Sequence, residues 1–175
     1  MKLLELATFI AASFCARFLA DLGAEVIKVE APAGDPLRYT AVNEGRPQDQ
    51  KENTSYDLEN AGKTCVCLNT KTPAGREALE KLIAEADIFI TNWRQNPLKK
   101  AGLDYETLHA KYPRLVYGFV SGYGEKGPDK DLPGFDFTAF FARGGILGTL
   151  FDKDALPMLT IAGFGDHQVG MYLAS

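Results

Sequence analysis

The 175-residue sequence predicts an α/β domain built on a largely parallel β-sheet. Short apolar runs rich in β-branched residues alternate along the chain with segments whose apolar residues recur at helical spacing. Apolar residues make up 46% of the chain and charged residues 24%, which is typical of one globular domain with its own core.

Three kinds of local pattern predict the individual elements. Apolar, β-branched runs such as EVIKVE indicate strands, whereas Phe14, Phe18 and Leu22 recur on one face of a helix. Thr72 is a favoured helix cap, and the proline after it suits the first helical position. The predicted elements, in chain order, are strand 3–7, helix 11–22, strand 25–30, an irregular polar stretch 31–60, strand 63–69, a helix from residue 72, strand 87–92, helix 105–111, strand 115–121, loop 122–134, helix 135–143 and a final helix beginning near residue 166.

The turns after the strands are the first places to look for a site, because ligands of parallel sheets bind beyond the carboxyl ends of the strands. The candidate segments are residues 8–11, 31–38, 92–94, 122–123 and 163–167.

Charge argues against two classes of partner. The net charge of −4 does not suit nucleic acid, although local basic groups can still bind a phosphate-bearing ligand. Glu5, Arg17 and Asp21 interrupt the apolar opening of the chain, so no uncharged run reaches the ~20 residues that span a membrane. We expect neither a nucleic-acid nor a membrane partner.

The three cysteines, Cys15, Cys65 and Cys67, do not indicate a disulfide framework, because their number is odd and no CxxC pair is present. Cys65 and Cys67 alternate in a strand-like run and lack further Cys or His partners for a metal. We expect them to be buried thiols, no metal site, and a location in the reducing cytoplasm.

Common catalytic and nucleotide-binding motifs are absent. The first predicted strand is followed by ATFIA rather than G-x-G-x-x-G, and there is no P-loop and no G-x-S-x-G. Of the two histidines, His109 lies in a polar helical stretch and is expected to face solvent. A standard NAD or ATP site, metal-dependent hydrolysis and serine-hydrolase chemistry therefore lack support.

Asp166, after Gly163-Phe164-Gly165, stands where the last helix begins. One interpretation is structural, because aspartate is a favoured helix N-cap. The other is catalytic, because a helix N-terminus favours an ionised carboxylate, flanking glycines admit a substrate, and a carboxylate can attack an activated acyl group.

Basic and aromatic residues at predicted turns provide candidate ligand contacts. Arg38 follows a Gly-Asp-Pro-Leu turn and is either a surface arginine or a bidentate phosphate clamp. Lys71, Lys99 and Lys100 are weaker candidates for the same role. Trp93, at the end of a predicted strand, either stacks on a ligand ring or closes the core.

Taken together, these segments resemble the family III CoA-transferases, a group that also contains α-methylacyl-CoA racemase. The matching stretches, in the family's order, are RFLADLGAEVIKVEAPAGDPLR, CLNTKTPAGREAL, ADIFITNWR, GLDYETL, YPRLVYGFVSGYGEKGP and GFGDHQVGM. Within the family, ENTSYDLENA and GDHQVGM are most similar to transferases of amino-acid fermentation that act on 2-hydroxy acids such as phenyllactate and 2-hydroxyisocaproate.

The resemblance implies a mechanism in which Asp166 is the nucleophile. It would move CoA from an acyl- or enoyl-CoA to a 2-hydroxy acid through an aspartyl-CoA thioester, with CoA as a substrate thioester and no metal. The positions that match the family's CoA contacts are Phe9, Ile10, Ala11, Arg38, Leu68, Lys71, Asn92, Trp93 and Lys100.

Two departures from the family pattern narrow the activity. Formyl-CoA transferase has a glutamine where this chain has Ile10, which favours a bulkier apolar acyl group. The racemases have a catalytic histidine where this chain has Phe135, so racemisation lacks its second acid/base.

The resemblance also implies a Rossmann-like large domain, a small domain further along the chain, and an interlocked homodimer. We expect residues 1–175 to be the N-terminal part of the CoA-binding large domain, truncated before the small domain, and to have little or no activity in isolation. The competing hypotheses are a non-catalytic CoA-binding fragment and, less favoured, a racemase-type isomerase.

Overall fold

The computed structural model describes residues 1–49, 52–158 and 160–175 and confirms the predicted α/β class. Its centre is a five-stranded, all-parallel sheet in the order β3-β2-β1-β4-β5. The strands are β1 (Lys2–Leu6), β2 (Glu25–Glu30), β3 (Thr64–Cys67), β4 (Ile88–Thr91) and β5 (Val116–Phe119). The α-helices are α1 (Ala11–Asp21), α2 (Thr54–Asn60), α3 (Pro73–Glu85), α4 (Gln95–Ala101), α5 (Tyr105–Lys111) and α6 (Phe164–Ala174). None of these helices is long and apolar enough to cross a membrane.

The sheet is covered on both faces, as parallel sheets require. In β1, Leu3 packs with Val26 and Ile90 on one face, whereas the next residue, Leu4, packs with Phe89 and other apolar side chains on the opposite face. Helices α1 and α6 pack against each other over the first of these faces. Because β1 is the middle strand and is covered on both faces, its carboxyl end lies at the centre of the sheet edge.

The prediction that 31–60 is irregular was wrong in part. Helix α2 forms there, and short 3₁₀ turns lie at Pro36–Tyr39 and Ala41–Glu44. Asn53 caps α2 by accepting a hydrogen bond from the Tyr56 N–H. The helix escaped prediction because its buried face is polar as well as aromatic and includes Glu59, so the sequence shows no apolar period.

The prediction of buried thiols at Cys65 and Cys67 was also wrong, because both residues are exposed. Strand β3 pairs with β2 alone and lies at the edge of the sheet. An edge strand lacks a neighbour on one side, and here its side chains are also largely uncovered. Cys15, by contrast, is fully buried in the α1 face of the core.

The helical segment predicted near residue 135 is a π-helix over Asp136–Arg143, and Leu147–Thr149 forms a further 3₁₀ turn. His109 is exposed on α5, as predicted, with its ring stacked on Tyr105. The remaining predicted strands and helices are found with ends shifted by a few residues, whereas α4 was not predicted.

The order in which strands are added to the sheet changes side between β1 and β4, although these two strands are parallel. From β1 the chain moves outward to β2 and β3, and it then returns to the other side of β1 to form β4 and β5. A crevice forms at such a point beyond the carboxyl ends of the two strands. Asn92 joins its two sides, accepting from the Thr8 N–H at 3.1 Å and donating to the Thr8 carbonyl at 2.7 Å.

Candidate active site

A cavity of about 550 Å³ occupies this crevice. Three of the turns predicted to carry site residues meet there, namely those after β1, β4 and β5, together with the start of α6. The lining residues that bear on the chemistry are Phe9, Ile10, Ala11, Asn92, Trp93, Phe135, Asp136, Phe140 and Asp166. Six of the predicted site residues are therefore brought together around one space.

Asp166 is the third residue of α6 and does not cap the helix with its side chain. Gly163 is the N-cap and adopts the left-handed conformation with φ 80°. Asp136 takes the capping role from the π-helix: its carboxylate accepts from the Gly163 N–H at 3.0 Å and from the Asp166 N–H at 3.1 Å. The carboxylate of Asp166 is thus released from the capping role that its position first suggested.

Asp136 is the functional residue that sequence reasoning missed. It is 6% exposed, and its two bonds reach 27 and 30 residues along the chain. The available signal was a lone carboxylate after Gly134-Phe135, in a segment expected to be helical and apolar. Such a buried acid must find donors, but the sequence does not say which.

A helix N-terminus alone would lower the pKa of Asp166, whereas burial and neighbouring charge raise it. Burial first, and then repulsion from Asp136, raise the pKa of Asp166 to about 6, although the positive charge that His167 carries when protonated opposes the rise. The carboxylate therefore remains mostly ionised at neutral pH and is a stronger base than an exposed aspartate. An aspartate of this kind is suited to nucleophilic attack.

Gly165 has a steric reason to be glycine. A side chain there would overlap the ring of Phe140 and the Asp136 carboxylate, so the start of α6 can lie against the π-helix only without one. This close approach brings the Asp136 carboxylate within hydrogen-bonding distance of the Asp166 N–H, and both residues line the cavity.

Phe9 has an unusual backbone at the mouth of the cavity. Its φ of 60° lies in the left-handed region, which bulky residues rarely adopt. Its N–H donates to Asp35 Oδ1 at 3.1 Å, and its ring meets that of Phe135 edge-on with centroids 6.2 Å apart. The surrounding structure therefore holds the β1–α1 turn in one shape.

A buried network of charges lies behind this turn. The Lys28 ammonium contacts Glu5 at 2.7 Å and Asp35 at 2.9 Å, and Lys63 contacts the other oxygen of Glu5 at 2.6 Å; all four side chains are essentially buried. Burial alone would lower the pKa of Lys28, but the two carboxylates outweigh it and raise that pKa. Asp35 links this network directly to the Phe9 N–H.

A second cavity, of about 480 Å³, lies on the other side of Trp93. Predicted contacts Lys71 and Lys100 line it, and Arg76 adds further positive charge, whereas Lys111 is paired with Glu80, which also lines the cavity. Trp93 lines both cavities, so the two spaces adjoin at this residue.

Two predicted contacts stand outside the linings of both cavities in the described part of the chain. Leu68 packs against the core beneath the sheet. The guanidinium of Arg38 donates to both oxygens of Glu30, at 2.8 and 2.7 Å, and stacks over the Tyr56 ring. Although burial alone would raise the pKa of Glu30, bonds from Arg38 and Tyr56 lower it to about 2, so this pair stays charged.

Sequence comparison identifies relatives over the whole chain. The model of CoA-transferase family III matches residues 1–175. The chain is 62% identical to cinnamoyl-CoA:phenyllactate CoA-transferase of Clostridium sporogenes over 175 residues, and 48% identical to (R)-2-hydroxy-4-methylpentanoate CoA-transferase of Clostridioides difficile. Both alignments cover 100% of this chain but only 42% and 44% of the relatives, so the chain spans less than half of their length.

Comparison with solved structures agrees. A CAIB/BAIF family protein from Brucella suis superimposes with a TM-score of 0.90 at 35% identity, covering 99% of this chain and 46% of that protein. The parallel sheet with a cavity at its point of reversal and the match along all 175 residues lead to one conclusion: the chain belongs to CoA-transferase family III.

Proposed function

We propose that the protein moves CoA from an acyl- or enoyl-CoA to a 2-hydroxy carboxylic acid, with Asp166 as the covalent nucleophile. The observation that carries this proposal is the half-buried carboxylate of Asp166 in a largely apolar cavity, freed from helix capping by Asp136. Two transferases of 2-hydroxy acids among the relatives support the choice of acceptor.

The first half of the reaction breaks the donor thioester. A carboxylate oxygen of Asp166 attacks the thioester carbonyl carbon, the C–S bond breaks, and a mixed anhydride and the CoA thiolate form. The thiolate then attacks the aspartyl carbonyl carbon and expels the donor as its carboxylate. CoA is now held on Asp166 as a thioester, with no net gain or loss of protons.

The second half repeats these steps in reverse with the acceptor. The carboxylate of the 2-hydroxy acid attacks the aspartyl thioester, and the CoA thiolate leaves. The thiolate then attacks the acceptor carbonyl of the new anhydride, which forms the product thioester and regenerates the Asp166 carboxylate. Four moderate steps through an enzyme carboxylate replace a direct exchange of CoA between the donor thioester and the weakly nucleophilic acceptor carboxylate.

The two cavities suit the two ends of a CoA thioester. Lys71 and Lys100 provide positive charge for phosphates in the second cavity. The ligand then runs past the Trp93 indole into the first cavity, where its thioester meets Asp166. Phe9, Ile10, Ala11 and Asn92 shape the wall beside the nucleophile. In this proposal Arg38 and Leu68 contribute at the outer end of the ligand, where Arg38 keeps its pair with Glu30.

The wider architecture follows from the same proposal. Residues 1–175 form the N-terminal part of the CoA-binding large domain, and the active protein is a homodimer with a further small domain. The length of the curated relatives supports only the first of these points, since the chain aligns with 42–44% of the two transferases of 2-hydroxy acids.

Covalent trapping tests the nucleophile. We expect the full-length enzyme, incubated with an acyl-CoA donor and then hydroxylamine, to carry a hydroxamate on Asp166, located by peptide mass spectrometry. Hydroxylamine without donor is the control and should leave the peptide unmodified. A donor-dependent adduct on another residue, with none on Asp166, would contradict the mechanism.

Acceptor selectivity tests the substrate class. Phe135 is 57% exposed and edge-on to Phe9 at the cavity, so Phe135→Ala should weaken the preference for phenyllactate over lactate by about tenfold. The measurement is the ratio of kcat/KM for the two acids in the full-length enzyme. Phe151→Ala, at an exposed phenylalanine outside the cavity lining, is the matched control and should leave the ratio unchanged. An unaltered ratio in Phe135→Ala would remove Phe135 from the acceptor site.

A further inference from the structure

His167 follows Asp166 directly, and its ring contacts groups of α1, α2 and the N-cap of its own helix. Its Nε2 lies 2.9 Å from Glu59 Oε1 on α2, and its Nδ1 lies 2.6 Å from the Gly163 carbonyl oxygen. The Phe14 ring of α1 meets the imidazole edge-on with centroids 4.5 Å apart. The side chain is therefore fixed in one orientation beside the nucleophile.

Both partners of the imidazole are acceptors. A backbone carbonyl oxygen and a carboxylate oxygen can only accept, so each ring nitrogen must carry a hydrogen to form its bond. A neutral histidine has one N–H, whereas the imidazolium has two. The hydrogen-bond geometry thus selects the cationic form of His167.

Glu59 has its own need for a cation. It is 1% exposed, and among the described residues its Oε2 has no hydrogen-bond partner. A buried carboxylate needs a nearby positive charge, and the His167 ring is the group in direct contact with its other oxygen. The hydrogen bond with Glu59 is accordingly the largest influence on the pKa of His167, which is raised despite partial burial.

From these contacts we propose that His167 is a positioning residue: held as a cation by Glu59, it keeps the neighbouring Asp166 carboxylate ionised and fixes the first turn of α6. The inference rests on the proposed function, because it assigns His167 a role in preparing the nucleophile. It also means that α2, a helix remote in sequence, acts at the candidate active site through the contact of Glu59 with His167.

The charged groups around Asp166 and His167 are consistent with this role of His167. Asp136 faces Asp166 from the π-helix and disfavours its ionisation, and Glu59 from α2 adds to that effect. Helix α1 presents the neutral Phe14, and Lys63 lies beyond Glu59, where it interacts with that carboxylate. His167 is the cation that opposes the two acids at Asp166.

The pH dependence of acyl-enzyme formation in the full-length enzyme tests the proposal. With His167→Asn, the acid limb of the rate should move to higher pH by about one unit, because Asp166 loses a neighbouring cation. In Glu59→Gln, loss of the imidazolium and loss of the Glu59 charge act on the Asp166 pKa in opposite directions, so its acid limb should move less than that of His167→Asn. His109→Asn, at the other histidine of this sequence, is the matched control and should leave the limb in place.

A uniform loss of rate at all pH values in His167→Asn, with an unmoved acid limb, would reduce His167 to a structural role and overturn the proposal. A second measurement needs no substitution at the site. Ring ¹⁵N chemical shifts of His167 in the wild-type enzyme should show mostly two protonated nitrogens at pH 6.5, where an ordinary imidazole is half neutral, and a mostly neutral ring there would also overturn it. Failure of the wild type to form any Asp166 adduct would instead refute the proposed function, and the ring shifts would still report the charge of His167.

Discussion

Replacing Asp166 with Asn should lower CoA transfer by on the order of 10⁴-fold, because an amide oxygen cannot form the anhydride and thioester on which the reaction depends. The substitution keeps the size of the side chain in the cavity and removes its charge. The measurement is turnover of the full-length enzyme with an acyl-CoA donor and a 2-hydroxy acid. Asp166→Ala should give the same result and guards against deamidation of the new Asn back to Asp.

The matched control is Asp104→Asn. Asp104 also lies at a helix N-terminus, where it caps α5 by accepting from the Thr107 N–H, but it lines neither cavity. Because Asn is as good a cap as Asp, we expect turnover to stay near that of the wild type. Normal turnover by Asp166→Ala would refute the covalent mechanism, whereas a comparable loss in Asp104→Asn would show that the assay reports folding.

Replacing Glu5 with Gln should destabilise the protein by about 3–5 kcal/mol, because two buried ammonium groups lose their shared carboxylate. The network that remains would hold Lys28 and Lys63 in the interior with Asp35 as the remaining carboxylate partner of Lys28. The measurement is hydrogen exchange of the β1 amides in the full-length protein. We expect the free energy of the opening that exposes these amides to fall by this amount in Glu5→Gln.

Glu77→Gln provides the comparison at an exposed ion pair. Glu77 contacts Lys81 at 2.7 Å one helical turn away on α3, with both side chains largely exposed. Such a pair contributes little, so the opening free energy should stay close to that of the wild type. If Glu5→Gln were as mild as Glu77→Gln, the carboxylate of Glu5 would not be the group that holds the two lysines in the core.

The local elements were predictable where a short stretch of sequence contains the whole signal. The spacing of Phe14 and Phe18 is sufficient for α1, and Thr72 followed by proline is sufficient for the start of α3, whose cap bond to the Gly75 N–H the structure contains. Helix α2 was not predicted, because its buried face includes Glu59, whose partner His167 is 108 residues away. A polar residue in a helix looks exposed until its distant partner is known.

The candidate site divides in the same way. The turns at 8–11, 92–94 and 163–167 were predicted to carry site residues, because strand ends are recognisable and parallel strands place their ends together. Their convergence on one cavity depends on the strand order, which no local pattern contains. The exposure of Cys65 and Cys67 depends on the same order, since a strand pattern does not show whether the strand lies at an edge.

The order of amino acids was sufficient for the α/β class, for most strand and helix positions, and, through the family resemblance, for Asp166 as the candidate nucleophile. Only the tertiary structure decided that Asp136 caps α6 in place of Asp166, that burial and Asp136 raise the pKa of Asp166 to about 6, and that Glu59 lies within hydrogen-bonding distance of His167. The physical reason is the range of the forces involved. Helix and strand periods act between near neighbours in sequence, whereas burial and charge depend on which distant residues the fold brings within a few ångströms.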